Sequence, residues 1–246
     1  MTYCVGLLLD QGLVMLADTR TNGGVDNIST FAKLHVFNTP GEREIAAMTS
    51  GNLAITQAVM NLIEDGLPDP DSGQMRTIYS VPGMFAAASL VGEAVNWVYR
   101  KYAKAMSEQN VSFDVSILLG GQVAGRTQRL FQIYAAGNFV EATQDTPFLQ
   151  IGEHKYGKPI LDRSVCSATS LTDGVKLALI SMDSTLRSNL SVGMPLDLLV
   201  HRRDRFDGAL VRRIGEHDAY FRKIRERWSQ ALDDAHKAID APDWGI

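Results

Sequence analysis

The chain predicts an α+β fold, a four-layer α/β/β/α sandwich of two antiparallel sheets with a C-terminal helical extension. Three observations lead there. Short β-rich runs follow one another across Gly and polar turns, which favours antiparallel hairpins over crossover helices. Helical periodicity arrives in clusters between those runs, so the helices should cover two stacked sheets from outside. The alternating strand–helix order of a doubly wound parallel sheet is absent.

The elements follow in order. Tyr3–Leu9 is β-rich, Asp10-Gln11-Gly12 is a turn signal, and Leu13–Ala17 is a second apolar run. Strands are expected at Thr30–Phe37 and Glu44–Thr49. From Asn52, a fitting N-cap, Leu53, Ile55, Val59, Leu62 and Ile63 fall on one helical face. Asp65-Gly66 and the prolines up to Pro82 mark a long loop. Met84–Met106 is a second helix whose middle, including Phe85, Leu90, Val91, Val95, Trp97 and Val98, is apolar enough to be sandwiched. Strands return at Phe113–Leu119, Arg129–Ala135, Phe139–Ala142 and Phe148–Ile151, with Gly120-Gly121 read as a turn. Leu171–Leu186 is a helix, and Pro195–Val200 and Ala209–Ile214 are the closing strands. Residues 1–214 then form the main domain. Residues 215–246 are a helical extension, in which Phe221, Ile224, Trp228, Leu232, Ala235 and Ile239 make a narrow apolar stripe. That stripe fits docking on its own domain and a subunit contact equally well.

Composition excludes several functions. With 24 basic and 28 acidic residues the net charge is −4, which gives no footprint for a nucleic-acid backbone. No run approaches 18 apolar residues, so no membrane helix is expected. The N-terminus lacks the pattern of a secretory signal, so a cytoplasmic location is expected. Two cysteines, Cys4 and Cys166, and five scattered histidines offer no metal-ligand spacing, so no metal site is expected.

The first hairpin carries the chemistry. If Asp10-Gln11-Gly12 is the turn, cross-strand partners sum to about 22, which brings Asp18 opposite Cys4 with Thr2 on the diagonal. Lys33, expected on the next strand, is costly to bury unless a carboxylate pairs with it, and Asp18 is the candidate. Removal of Met1 would leave Thr2 N-terminal, with a free amine, of pKa about 8, to serve as base for its own hydroxyl. A nearby ammonium would lower that pKa. An ordinary Thr beside a structural Asp–Lys pair is the competing interpretation.

Several stretches bear on that choice: Met1-Thr2 before a strand, Ala17-Asp18-Thr19-Arg20, Lys33, and Thr49-Ser50-Gly51-Asn52 opening a helix. Together they resemble a proteasome β-subunit of the N-terminal nucleophile hydrolases, whose fold is the sandwich described above. More narrowly, 25–31, 51–56 and 151–159 resemble the Anbu family of bacterial proteasome-type subunits, and the resemblance covers residues 1–240.

The resemblance implies a role for each matching residue. Thr2 is the nucleophile, Asp18 the acid that orients the lysine, and Lys33 the lysine that tunes the amine. Gly51 gives its N–H to the oxyanion, and Arg20, Thr21 and Asn22 form an edge to which an extended substrate adds. Two places depart from the pattern. Where the family commonly has Gly-Ser-Gly, this chain has Gly152-Glu153-His154, and a carboxylate there could accept from the amine while raising its pKa. Asp183 matches a supporting acid, with Ser184 or Ser188 as its serine. The implied activity is a threonine peptidase acting on peptides or unfolded protein within a homo-oligomeric ring or ring-like assembly. It needs no cofactor and leaves room for an ATPase partner. The alternatives are a small-molecule amidase of the same fold and a silent assembling subunit that keeps Met1.

Overall fold

Tyr3–Leu9 (β1) and Gly12–Asp18 (β2) form the expected hairpin. Its register pairs Cys4 with Ala17, a sum of 21, so Asp18 lies level with Tyr3 rather than with Cys4. The computed structural model describes residues 1–22, 28–70 and 72–244. Of the family-like stretch 25–31, residues 25–27 therefore lie outside the described residues. Arg20–Asn22 (β3) pairs with Ile28–Thr30 (β4), and Leu34–Thr39 (β5) and Arg43–Gly51 (β6) follow. Leu53–Asp65 (α1) begins at Asn52, whose side chain accepts from the N–H groups of Ala54 and Ile55. Leu67–Pro68 (β7) pairs with Met75–Arg76 (β8), and Met84–Glu108 (α2) follows. The next strands are Val115–Val123 (β9), Arg129–Ile133 (β10), Phe139–Glu141 (β11) and Phe148–Gly152 (β12). Lys158–Ser164 (α3), Leu171–Ser188 (α4), Leu196–Arg202 (β13), Leu210–Ile214 (β14) and Ala219–Lys237 (α5) complete the chain.

The fold is mixed α+β with antiparallel sheets. One five-stranded sheet has the order β12-β1-β2-β13-β14 and the other β11-β10-β9-β6-β5. The three larger apolar clusters among the described residues show how the sheets and helices pack. Cys4, Met15, Ala17 and Leu199 of the first sheet meet Leu34, Ala46, Met48 and Leu118 of the second. Ile45, Ala47, Ile117 and Leu119, on the second sheet's other face, pack against α1 and α2 through Val59, Ile63, Leu90 and Val95. Val5, Leu7, Val14 and Leu16 of the first sheet pack against Leu161, Leu179 and Met182 of α3 and α4. No described helix is long and apolar enough to cross a membrane.

Several expectations are corrected. The expected strand Thr30–Phe37 is two pieces: β4 pairs with β3, β5 pairs with β6, and residues 31–33 between them are irregular. Lys33 sits at that break, and with the alternation interrupted it is buried while Phe31 is exposed. On α2, Phe85 and Trp97 are exposed because only one side of the helix meets the sheet. The helix α3 carried no amphipathic signal long enough to register. The stripe of α5 is used only in part. Phe221 and Ile224 dock on the α4 layer, whereas Leu232 and Ile239 are exposed.

Gly120-Gly121 is no turn, since both residues lie inside β9. A Cβ on Gly121, whose φ is +156°, would stand 2.3 Å from the Glu44 carbonyl oxygen of the neighbouring strand. The strand needs glycine there because backbone meets backbone. We therefore expect Gly121→Ala to cost about 1–3 kcal/mol through overpacking. A fall in the urea midpoint at unchanged slope would register it. An unchanged midpoint would contradict this reading of the β6–β9 contact.

Candidate active site

Antiparallel pairing gathers strand ends at one edge of the molecule. Thr2 precedes β1, Asp18 ends β2, Gly51 ends β6 and Gly152 ends β12. A cavity of about 450 Å³ opens there, lined among others by Met1, Thr2, Lys33, Thr49, Gly51 and Asp114. Arg20, Thr21 and Asn22 also line it.

Thr2 is 8% exposed, and the peptide plane that follows it is held on both edges. The Tyr3 N–H donates to Asp18 Oδ1 at 3.0 Å. The Thr2 carbonyl accepts from the Glu153 N–H at 2.6 Å. Further along the Tyr3 side chain, the phenol shares a short hydrogen bond with Ser181 and accepts from Gln150 Nε2 at 2.6 Å. Burial pushes that phenol's pKa upward, so it stays a neutral anchor.

Lys33 and Asp18 form the buried ion pair that their side chains require. Lys33 Nζ donates to Asp18 Oδ1 at 2.7 Å and to the Arg20 carbonyl at 2.7 Å. Asp18 Oδ2 accepts from the Gly193 N–H at 3.2 Å. Burial pushes the Asp18 carboxyl upward, opposed first by the Lys33 ammonium and then by the Tyr3 and Gly193 N–H groups.

Gly51 has φ +110°, and a Cβ there would lie 2.3 Å from the Asp114 carbonyl oxygen. Only glycine fits, which leaves bare, exposed backbone at the cavity wall. The Arg20–Asn22 strand is braced by its own side chains. Arg20 Nη1 donates to the Leu190 carbonyl at 2.9 Å and Asn22 Nδ2 to that of Ser191 at 3.4 Å.

The remaining residues singled out in the sequence are arranged differently. Asp183, Ser184 and Ser188 do not line the cavity. Asp183 faces α5, where its carboxylate accepts from Arg187 Nε at 3.1 Å and from Arg225 Nε at 2.7 Å. It is fully buried where α4 meets α5, one turn from Arg187, and its pairing with Arg225 ties the helical extension to α4. Ser184 is half-buried on the same helix and Ser188 is exposed. Glu153 is adjacent to Thr2, but its carboxylate turns away into its own loop. Oε1 accepts from the N–H groups of His154 and Lys155, each at 2.9 Å, and Oε2 from Asn189 Nδ2 at 3.0 Å. The Lys155 N–H first, then Asn189 and the His154 N–H, hold its pKa below the ordinary glutamate range.

Two residues that sequence reasoning missed complete the surroundings, Asn189 and Gly193, in the loop between α4 and β13. Their one signal was the short Ser191-Val192-Gly193 run ahead of Met194-Pro195, too common a loop pattern to single out. Among the described residues, no three of His, Cys, Asp and Glu come together as metal ligands.

No protein-family model matches the chain, and no curated protein matches it. Solved structures do. A (Gly-1) mutant of Anbu from Hyphomicrobium sp. strain MC1 is 48% identical, with 99% of this chain and 100% of that chain covered and a TM-score of 0.89. Anbu (ancestral beta-subunit) from Yersinia bercovieri is 45% identical over 98% of this chain and 99% of that one, with a TM-score of 0.89. A helical assembly of the Anbu complex from Pseudomonas aeruginosa is 45% identical over 99% of each chain, with a TM-score of 0.90.

The ion pair predicts a pH signature. Lys33→Ala would strand a buried carboxylate, at a cost of about 3–5 kcal/mol. It also removes the largest influence opposing the upward shift of Asp18, so the carboxyl moves further above its unfolded value of about 3.9. A carboxyl raised on folding contributes stability below its unfolded pKa, and that contribution is lost as pH rises through the folded pKa. The variant should therefore be weakest relative to the parent at neutral pH and recover part of the deficit on acidification. Thermal unfolding of both proteins across pH measures it, and a deficit that widens on acidification would count against the pairing.

Proposed function

The chain belongs to the Anbu family, and from that premise we propose that it is a proteasome-type threonine peptidase working within a homo-oligomer. The observation that carries the proposal is that Thr2, Lys33 and Gly51 line one cavity, with the buried Asp18 behind them, 2.7 Å from Lys33 Nζ. The two stacked sheets with helices packed on them support a four-layer α/β/β/α reading of residues 1–214, with 215–246 as the extension.

In the proposed mechanism Met1 is first removed. The Thr2 amine takes the proton of its own hydroxyl, and Thr2 Oγ1 attacks the peptide carbonyl. The developing oxyanion is met by the Gly51 N–H. The C–N bond then breaks, the departing amine takes the proton, and an ester to Thr2 remains until water hydrolyses it. Lys33 keeps a fixed positive charge near the amine, which favours its neutral, basic form. Asp18 holds that charge in place. Asp183, Ser184 and Ser188 have no part in this scheme, and the Glu153 carboxylate, bonded to the His154 and Lys155 N–H groups and to Asn189, carries no proton in it.

The proposed substrates are peptides or unfolded chains that extend along Arg20–Asn22, and the proposed setting is the cytoplasm, where an ATPase partner could deliver them. Assembly is suggested by the helical assembly of the Pseudomonas aeruginosa relative. In the silent-subunit alternative Met1 stays attached, and the Thr2 nitrogen is then an amide and no base for its hydroxyl.

Acylation should therefore scale with the fraction of chains that begin at Thr2. The measurement compares protein whose Thr2 is released from a cleavable N-terminal fusion with the form that keeps Met1. A peptide epoxyketone, which reacts with an adjacent amine and hydroxyl, is the probe, and intact mass the readout. Equal labelling of both forms would overturn the N-terminal nucleophile mechanism, and labelling of neither would favour the silent subunit.

A further inference from the structure

The bonds around Thr2 extend past the Lys33–Asp18 pair and close into a ring. The Glu153 N–H holds the Thr2 carbonyl at 2.6 Å. The Glu153 carboxylate accepts from Asn189 Nδ2 at 3.0 Å. Asn189 starts the loop that leads to Gly193, whose N–H holds Asp18 Oδ2 at 3.2 Å and whose carbonyl accepts from the Thr19 N–H at 3.4 Å. Asp18 Oδ1 in turn accepts from the Tyr3 N–H, which returns the ring to the peptide plane after Thr2. Of these links, the Glu153–Asn189 bond alone joins two side chains from loops far apart in sequence.

We propose that Glu153 and Asn189 are positioning residues that lock together the two loops holding Thr2 and Asp18, so that the nucleophile keeps one spacing from the acid–lysine pair. Each partner suits the task. Both side chains are buried, so their bond is shielded from water. The Asn189 amide has one orientation, because its Oδ1 accepts from the Ser191 N–H at 2.9 Å and only Nδ2 remains to face Glu153. The acceptor is ionised, which makes the bond roughly twice as strong as a neutral one. The three N–H groups around the carboxylate keep it ionised and turned away from Thr2. A carboxylate beside the nucleophile thus serves to place it rather than to take its proton. Misplacement by about 1 Å can cost about a hundredfold in rate, so a lock of this kind has something to protect.

That the spacing serves acylation rests on the peptidase reading above, whereas the lock itself does not. The experiment separates the two. Asn189→Asp keeps shape and the bond to Ser191 but sets carboxylate against carboxylate. The double variant Glu153→Gln/Asn189→Asp restores a donor–acceptor pair with the roles exchanged. Two quantities are measured on Thr2-terminal protein: epoxyketone acylation as a function of pH, and hydrogen exchange of the Glu153 amide, which reports its bond to Thr2.

Asn189→Asp should slow acylation about ten- to a hundredfold at neutral pH. Its rate relative to the parent should climb on acidification, as one of the facing carboxylates takes up a proton. The Glu153 amide should exchange faster, and the double variant should recover most of both losses. Unchanged exchange in Asn189→Asp, or a double variant no better than the single, would overturn the lock. Exchange behaving as expected in a parent that does not acylate would uphold the lock and defeat the peptidase reading instead.

Discussion

The structure around the cavity depends on one constraint: a lysine and an aspartate that cannot leave each other. Lys33 is 5% exposed and Asp18 fully buried, and neither charge could remain in the interior alone. The pair is tolerable because its spare hydrogen-bonding capacity is taken up. Asp18 also accepts from the N–H groups of Tyr3 and Gly193, and Lys33 also donates to the Arg20 carbonyl. Satisfying those atoms fixes the start of β1, the end of β2, the break before β5 and the loop before β13 in one arrangement.

Antiparallel topology makes that convergence possible. Adjacent strands reverse direction, so one edge of a sheet collects the beginnings of some strands and the ends of others. Thr2 and Asp18 come from one sheet and Gly51 from the other, and the cavity lies where the two edges meet. The opposite faces of the sheets are packed by α1 and α2 on one side and α3 and α4 on the other, which hold the strands in register.

Much of this was legible in the residues, and the division is physical. The β1–β2 hairpin, α1 with its Asn52 cap, and the apolar side of α2 are written in local periodicity and turn chemistry, so their existence and type could be read directly. The Asp18–Lys33 pairing was legible because charge in an apolar context demands a partner. What could not be read was set by contacts distant in the chain. The break at residues 31–33 exists because Lys33 must reach Asp18, a demand that overrides the β-propensity of its neighbours. Gly120-Gly121 looks like a turn until β6 is laid beside it. Asp183 looks like a site acid until α5 supplies Arg225, and Asn189 looks like an ordinary loop residue until Glu153 faces it. Family resemblance pointed to Thr2, Asp18, Lys33 and Gly51, which the fold brings close together, and to Asp183 on α4, which the fold places against Arg187 and Arg225 instead.

The clamp on the peptide plane after Thr2 is made while Met1 is still attached, since it uses only the Thr2 carbonyl and the Tyr3 N–H. Neither group changes when the Met1–Thr2 bond is cut. On the proposed mechanism the ordering entropy of Thr2 would thus be lost once, when the chain folds, and not again at maturation or at each turnover. Dormant and competent forms would share one backbone and differ by a single covalent bond, which makes the transition a ratchet: no shift of population can reverse it.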